Sequence, residues 1–411
     1  MTALAVTLPL VATAPAAQAR PAAAPNAAIA WHVHAQTAIY EVARQSPTPA
    51  TRSFAIVQGA VYDAVNAIAG TPYEPYLTAP DARPGDSTPA AVATAAYRVL
   101  LWLFPKQAGS LDAQYRESLA AIPAGRAKRG GIRVGEAAAA AMIEARRDDG
   151  AFSDATWPVG TEPGQWRPTP PDHLQVGAWY ATLKPFVIRP ADYTSPGPPA
   201  LAGKAYARAL NEVKALGSAG STVRTPEQTE AAVWWDDLRM VEWAIVRQLA
   251  TTHRLSTLET ARLFAMVDIA AADTLIACYR EKKRWRFWRP VTAIPLANTD
   301  GNPATDADPS WAPLRTTAPS AEYPSGHACY TTAVTAGLRE FFGRDDLSFS
   351  ASSADSGTTR HYDSLSVALA ELLEARVWAG VHYRFASIDG WRLGTAVARD
   401  VLDQEFRPRH G

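Results

Sequence analysis

The sequence has no excess of charge of either sign and very little cysteine. Lysine and arginine number 40 and so do aspartate and glutamate, so the formal net charge of the 411-residue chain is zero. No overall electrostatic field therefore attracts nucleic acid or an acidic membrane. The histidines and the two cysteines form no cluster with the spacing of a zinc site. Any preference for an anion must come from a local arrangement of cations.

The two cysteines, Cys278 and Cys329, leave the redox compartment open. In an exported protein they could form a disulfide bond with each other. The alternative, which we favour, is a pair of buried thiols in packed helices.

Long apolar runs are also absent, and none could form a helix that spans a bilayer. The first 30 residues are nearly uncharged and rich in alanine and proline, with an apolar run at 4–12 and an Ala-Gln-Ala sequence at 17–19. This pattern predicts a signal peptide at 1–30, and hence a secreted or periplasmic protein. No basic residue precedes Arg20, which departs from the usual signal, so a disordered leader is the alternative.

Strand-like alternation is scarce, whereas helical periodicity recurs along the chain. The sequence therefore predicts an all-α fold of packed helical bundles, joined by long proline-rich loops at about 150–200 and 290–324. We expect a helical region at 31–250 and a C-terminal bundle at 251–408 that share one continuous core. The predicted helices lie at about 28–46, 51–69, 88–104, 109–122, 131–149, 200–217, 226–251, 256–283, 327–342, 362–380 and 388–405.

Lys282, Arg289 and Pro290 form the first of three segments that could carry chemistry. On a helix the two cations, seven residues apart, would lie on one face and could both point at one anion. Pro290 is expected to end that helix, with the arginine near its terminus. The alternative is a solvated basic face, since six cations lie between 280 and 289.

The second segment is Pro324-Ser325-Gly326-His327, which precedes an apolar helical pattern. Ser325 is expected to cap that helix while the backbone N–H groups of Gly326 and His327 face a bound oxyanion. Glycine carries no side chain that would block the approach of the anion. His327 lies where it could titrate near neutrality as a general acid or base, and the alternative is a cap or core residue.

The third segment contains Arg376 and His382, with Gly380 expected where a helix ends. His382 could then reach the same pocket as a nucleophile or a metal ligand. On its own, Arg376 would be expected to pair with a carboxylate such as Glu371 or Glu374. Together the three segments supply three cations, a hydroxyl, a glycine at a helix start and two imidazoles. That set can hold a tetrahedral oxyanion and act chemically on it.

The motifs Lys-x6-Arg-Pro, Pro-Ser-Gly-His and Arg-x5-His, in this order, resemble those of a known superfamily. It joins vanadium-dependent haloperoxidases with type 2 phosphatidic acid phosphatases and bacterial acid phosphatases. The flanking residues at 287–294 and 376–385 resemble the haloperoxidase branch in particular. The resemblance extends upstream and covers most of the chain from about 40 to 400.

This resemblance implies a vanadate cofactor and a role for each motif residue. His382 would be the axial ligand of vanadium, and His327 would act as the acid–base residue beside the apical oxygen. The remaining motif residues would balance the charge of the vanadate oxygens or donate hydrogen bonds to them: Lys282, Arg289, Ser325, Gly326 and Arg376. The implied function is the vanadate-dependent oxidation of halide by hydrogen peroxide to hypohalous acid.

A phosphatase is the alternative function, because vanadate and phosphate are both tetrahedral and become trigonal bipyramidal with an apical histidine nitrogen. In a secreted acid phosphatase without a cofactor, His382 would form a phosphohistidine and His327 would protonate the leaving alcohol. Phosphate would then be a substrate or product. A non-catalytic protein that binds phosphate or vanadate is a third hypothesis, disfavoured because capture alone does not require two histidines.

The expected partners are hydrogen peroxide and a halide or small organic substrate, with no nucleic acid and no membrane span. A homo-oligomer is left open.

Two positions depart from the fungal chloroperoxidases: Ser320 replaces a phenylalanine five residues before the motif serine, and Tyr279 replaces a tryptophan three residues before the motif lysine. The halide preference is therefore left open as well.

Overall fold

The computed structural model describes residues 26–236 and 238–409, and its architecture is almost wholly helical. The all-α prediction is confirmed, and two short strands, β1 (Phe349–Ser352) and β2 (Thr359–Tyr362), form a small antiparallel hairpin in which Phe349 lies opposite Tyr362. In chain order the elements are α1 (Ala27–Gln36), α2 (Pro47–Ile68), α3 (Thr88–Leu103), α4 (Ala108–Ala120), α5 (Arg126–Arg146), α6 (Lys204–Leu216), α7 (Pro226–Trp234), α8 (Leu238–Thr252), α9 (Thr257–Trp285), α10 (Pro290–Ala293), α11 (Gly326–Phe342), β1 (Phe349–Ser352), β2 (Thr359–Tyr362), α12 (Leu365–Trp378) and α13 (Arg384–Gln404).

One predicted helix, at 226–251, was wrong, because the structure divides it into α7 and α8. The break after Trp234 allows both Trp234 and Trp235 to be fully buried. The Trp235 indole donates a hydrogen bond to Glu371 at 2.8 Å, which holds this turn against α12. The break also brings Asp236 beside the C-terminal half of α12.

The main core draws on helices from both predicted regions of the chain. Helix α9 runs through it and packs against α2, α11 and α13. Helices α11 and α13 approach closely because Gly390 and Gly394 lie between them. A Cβ atom at Gly390 would lie 2.7 Å from the carbonyl oxygen of Ser325, and one at Gly394 would lie 2.8 Å from that of Cys329. These two glycines therefore allow the start of α11 to sit against α13.

The proline-rich segment at 150–200 is an irregular chain that buried carboxylates of α9 hold to the core. Asp273 accepts hydrogen bonds from the backbone N–H groups of Phe186, Val187 and Ile188, at 2.6, 2.7 and 2.9 Å. Such bonds satisfy donors that a loop crossing the core would otherwise leave unpaired.

Residues 1–25 of the predicted leader lie outside the described residues. Its last residues belong to the fold, because α1 begins at Ala27 and Ala28 is buried in the core. Asn26 caps α1 and donates to the Leu255 carbonyl oxygen at 3.1 Å, so residues 26–30 of the predicted segment are anchored in the fold. Within the described ranges, no helix is both long and apolar enough to cross a membrane.

Candidate active site

Lys282 lies in the last turn of α9 and is buried. Its ammonium donates to the carbonyl oxygens of Ala321 and Glu322, at 2.6 and 3.0 Å. These bonds fix the chain that leads into α11 against the end of α9. Burial, and next the charge of Arg289, lower the pKa of Lys282 to about 8.

The expectation that Lys282 and Arg289 share one helix, ended by Pro290, was wrong. Helix α9 ends at Trp285, and Arg286 follows in the left-handed conformation with a φ of 47°. Pro290 instead begins the short helix α10, where its missing N–H costs nothing. The two cations reach one place from two elements rather than from one helix face.

Arg289 is buried and donates in three directions. Its Nε donates to the Ser320 carbonyl oxygen at 2.9 Å, and one Nη lies 3.2 Å from the Ser320 hydroxyl. The other Nη donates to the Val381 carbonyl oxygen at 2.9 Å and lies 3.1 Å from Nε2 of His382. Burial lowers the pKa of Arg289 to about 10, and the nearby Glu322 carboxylate opposes that shift. The guanidinium thus joins the first segment to the third.

The second segment begins α11 as the sequence indicates. Ser325 is the N-cap, and its hydroxyl accepts from the Ala328 N–H at 3.4 Å. Gly326 has open space in front of it: a Cβ atom there would meet only Cε of Lys282, at 3.8 Å. The first N–H groups of a helix have no partner within the helix, so this start can donate to an anion. His327 follows in the first turn and is partly exposed.

The third segment spans the end of α12. Arg376 is buried and donates to Asp236 at 3.2 Å, not to Glu371 or Glu374, the partners suggested for an isolated arginine. Those two glutamates bind other arginines. Helix α12 ends at Trp378, and Gly380 then adopts a φ of 77°, which turns the chain toward His382.

His382 is buried, and its ring lies between a carboxylate and an arginine. Its Nδ1 is 2.9 Å from Oε1 of Glu322. Burial, and next the positive charge of Arg289, hold the pKa of the imidazole well below its usual value. Burial likewise raises the pKa of Glu322 to about 7, against the pull of Arg289 and Lys282. Both shifts favour a neutral imidazole whose hydrogen bond to Glu322 is not an ion pair.

Six of the seven motif residues line one pocket of about 200 Å³: Lys282, Arg289, Gly326, His327, Arg376 and His382. The seventh, Ser325, is fully buried at the N-terminus of α11, next to Gly326. Three cations and the carboxylate of Asp236 therefore line the pocket, while the buried carboxylate of Glu322 contacts His382. A tetrahedral oxyanion would find positive charge, helix-start N–H groups and an imidazole together there.

Sequence reasoning missed several residues that lie at this site. Glu322 lies two residues before Pro324, so a search for carboxylates near the motif could have found it. Asp236 depends on the break between α7 and α8, which the helical pattern did not predict. Tyr40 and Thr48 belong to the far N-terminal region yet line the same pocket, and no local signal marks them.

Both cysteines lie behind the site. Cys278 and Cys329 are buried free thiols, which is the alternative that we favoured from the sequence. The Cys278 thiol points at the Pro324 carbonyl oxygen, at 3.8 Å. They fill the contact between α9 and the start of α11.

Comparisons with known proteins bear on both the fold and the motif region. Residues 262–411 match the family model of the VCPO second helical-bundle domain, and this range contains all three motifs. A vanadium chloroperoxidase from Curvularia inaequalis is 27% identical over 264 residues, which cover 48% of this chain and 41% of that protein. The aligned part thus spans about two fifths of the length of that curated relative.

Solved structures are similar to this chain over most of its length. The first bacterial vanadium-dependent iodoperoxidase has a TM-score of 0.78 at 23% identity, covering 93% of this chain and 96% of that one. An apo-type bacterial vanadium-dependent chloroperoxidase has a TM-score of 0.69 at 16% identity, covering 87% of this chain and 94% of that one. At these identities the likeness establishes the fold, in which the described pocket lies.

Proposed function

We propose that this chain, which is similar to members of the haloperoxidase superfamily, is a vanadium-dependent haloperoxidase that oxidises halide with hydrogen peroxide to hypohalous acid. The observation that carries the proposal is the position of His382. Its neutral imidazole is buried at the pocket wall, within 3.1 Å of the Arg289 guanidinium and beside Lys282 and Arg376. One nitrogen ligand surrounded by cations suits a metal oxyanion.

The residues present fit vanadate by their chemistry. Buried cations balance an oxyanion of high charge, and they are costly to bury without such a partner. The lowered pKa values of Lys282 and Arg289 are the sign of that cost. Gly326 leaves open space where any other residue would place a side chain. His382 would hold the metal, and the cations and the start of α11 would hold its oxygens.

The cofactor, when bound, would supply the Lewis acidity that activates hydrogen peroxide for attack by halide. The protein groups then have separate tasks. Lys282 and Arg289 would hold anionic oxygens through charge-assisted hydrogen bonds. His327, which is partly exposed, would accept a proton from hydrogen peroxide on its imidazole and later release it.

The phosphatase alternative is not favoured, because the relatives named above are haloperoxidases. The same pocket chemistry would serve a phosphohistidine route, so an assay has to separate the two. The assay must also determine which halide is oxidised, because Ser320 and Tyr279 depart from the fungal pattern.

The test is to load apo-protein with orthovanadate and measure peroxide-dependent oxidation of iodide, bromide and chloride. The proposal predicts halide oxidation that requires stoichiometric vanadium, and phosphatase turnover by the apo-protein that is weak and inhibited by vanadate. Matched assays use apo-protein without vanadate and vanadate without protein. Strong phosphatase turnover with a phosphohistidine trapped in acid, and no halide oxidation after loading, would overturn it.

A further inference from the structure

Glu322 makes contacts that none of the motif roles explains. Its side chain is fully buried, and Oε1 lies 2.9 Å from Nδ1 of His382 while also accepting from the Tyr383 backbone N–H at 3.0 Å. Its other oxygen, Oε2, has no hydrogen-bond partner among the described residues. A carboxylate is thus held in a fixed orientation against the ring of His382.

The contacts of Glu322 define which ring nitrogen carries the proton. Oε1 accepts from the Tyr383 N–H and lies 2.9 Å from Nδ1 of His382, so it is the acceptor there too, which places the proton of the neutral ring on Nδ1. Arg289 can only donate hydrogen bonds, and its Nη1 lies 3.1 Å from Nε2 and 3.5 Å from Nδ1. The Arg289 contact is compatible with this tautomer, and the Glu322 contact requires it.

We propose that Glu322 is a positioning residue that holds His382 in its Nδ1–H tautomer, with the Nε2 lone pair directed into the pocket. A hydrogen bond of this kind to a carboxylate fixes the orientation of a metal-binding imidazole and makes its other nitrogen a stronger ligand. The tautomer itself needs no cofactor. Only its consequence for vanadate binding rests on the proposed function.

The fold does not depend on this side chain alone, because the backbone of Glu322 is held separately. Its N–H donates to the Phe287 carbonyl oxygen at 3.0 Å, and its carbonyl oxygen accepts from Lys282 at 3.0 Å. Substitutions at 322 can therefore change the ring of His382 while the loop stays in place. A purely structural carboxylate would leave the ring unaffected.

The experiment uses nitrogen-15 NMR of histidine-labelled apo-protein at neutral pH, with the His382 signals identified by their loss in His382→Ala. We expect Nδ1 protonated, Nε2 unprotonated, and an Nδ1–H proton that exchanges slowly with water. In Glu322→Ala that protected proton should disappear. In Glu322→Gln it should remain, because the Tyr383 N–H keeps the amide oxygen facing the ring.

Vanadate binding by equilibrium dialysis gives a second measurement on the same variants. Glu322→Ala should bind orthovanadate about 10- to 100-fold more weakly, with Glu322→Gln between it and the wild type. Glu281→Gln is the matched control. This buried carboxylate on α9 binds Ser195 and Trp285 away from the pocket, so the variant should bind orthovanadate as tightly as the wild type.

A wild-type spectrum with Nε2 protonated would overturn the proposal directly, whatever the variants do. So would an unchanged Nδ1–H signal together with unchanged vanadate affinity in Glu322→Ala. Absence of vanadate binding by the wild type would contradict the proposed function instead, and the NMR result would still decide the role of Glu322.

Discussion

Asp273 and Glu322 are both buried carboxylates close to α9, yet they have different partners. Asp273 accepts three backbone N–H groups of the proline-rich segment, and both of its oxygens are used. Glu322 gives one oxygen to the ring of His382 and to one backbone N–H, beside the buried cations. The first arrangement is saturated by main chain and anchors a loop. The second is built around side chains that can bind a ligand.

The electrostatics of the two carboxylates differ in the same way. Burial raises the pKa of Asp273 to about 6 and that of Glu322 to about 7. For Asp273 the shift is opposed mainly by fixed backbone dipoles, whereas for Glu322 it is opposed mainly by Arg289 and Lys282. A substitution of Asp273, which anchors the loop, should therefore change the stability of the fold. A substitution of Glu322 should change the affinity for vanadate.

The largest effect on binding is expected at His382. In His382→Ala the coordinate bond is lost and only charge pairing remains, so vanadium binding and peroxidase activity should disappear together. Dialysis followed by elemental analysis measures the first and a halide oxidation assay the second. Stoichiometric, tightly held vanadium in this variant would place the ligand elsewhere.

A substitution of His327 should lower the turnover rate much more than the affinity for vanadate. An acid–base residue contributes typically about 10²- to 10⁴-fold to rate, so His327→Ala should lose most halide oxidation while keeping much of its vanadate affinity. His361→Ala, at an exposed position of β2, is the control and should leave both unchanged. If His327→Ala binds no vanadate and His382→Ala binds normally, the two roles are exchanged.

The three pocket cations should give intermediate losses of affinity. Replacing Lys282, Arg289 or Arg376 by methionine removes a charge-assisted hydrogen bond, which is worth about 1.5 to 3 kcal/mol, or roughly 10- to 150-fold in Kd. Lys283→Met is the control, because Lys283 follows Lys282 on α9 but is not among the residues that line the pocket. Unchanged vanadate affinity in all three variants would show that these cations serve the fold, as Asp273 does.

The smallest effect on vanadate affinity is expected from a substitution of Asp273, which anchors the proline-rich segment. Asp273→Asn cannot accept with both groups of its side chain, so one buried N–H of the 186–188 segment loses its partner. Unfolding by denaturant should show a loss of about 1 to 3 kcal/mol, with vanadate affinity close to that of the wild type. Affinity falling as far as in the cation variants, with stability unchanged, would erase the distinction between the two carboxylates.

The sequence was sufficient for most of the helices and for the motif residues that the pocket brings together, because helical periodicity and motif spacing are local properties. It was insufficient where distant segments meet. The division of α7 from α8 follows from burying Trp234 and Trp235 against α12, and Asp236 reaches Arg376 only through that division. A search near the second motif could have found Glu322, but its pairing with His382 could not be inferred, because the two residues are 60 positions apart in sequence.

The coordination of vanadium in the loaded protein tests the central claim most directly. X-ray absorption at the vanadium edge should show one nitrogen ligand among oxygens, with the outer scattering of an imidazole ring, and that scattering should be missing in any vanadium retained by His382→Ala. A shell of oxygens alone in the wild type, with vanadium bound stoichiometrically, would contradict His382 as the ligand and the reading of the pocket built upon it.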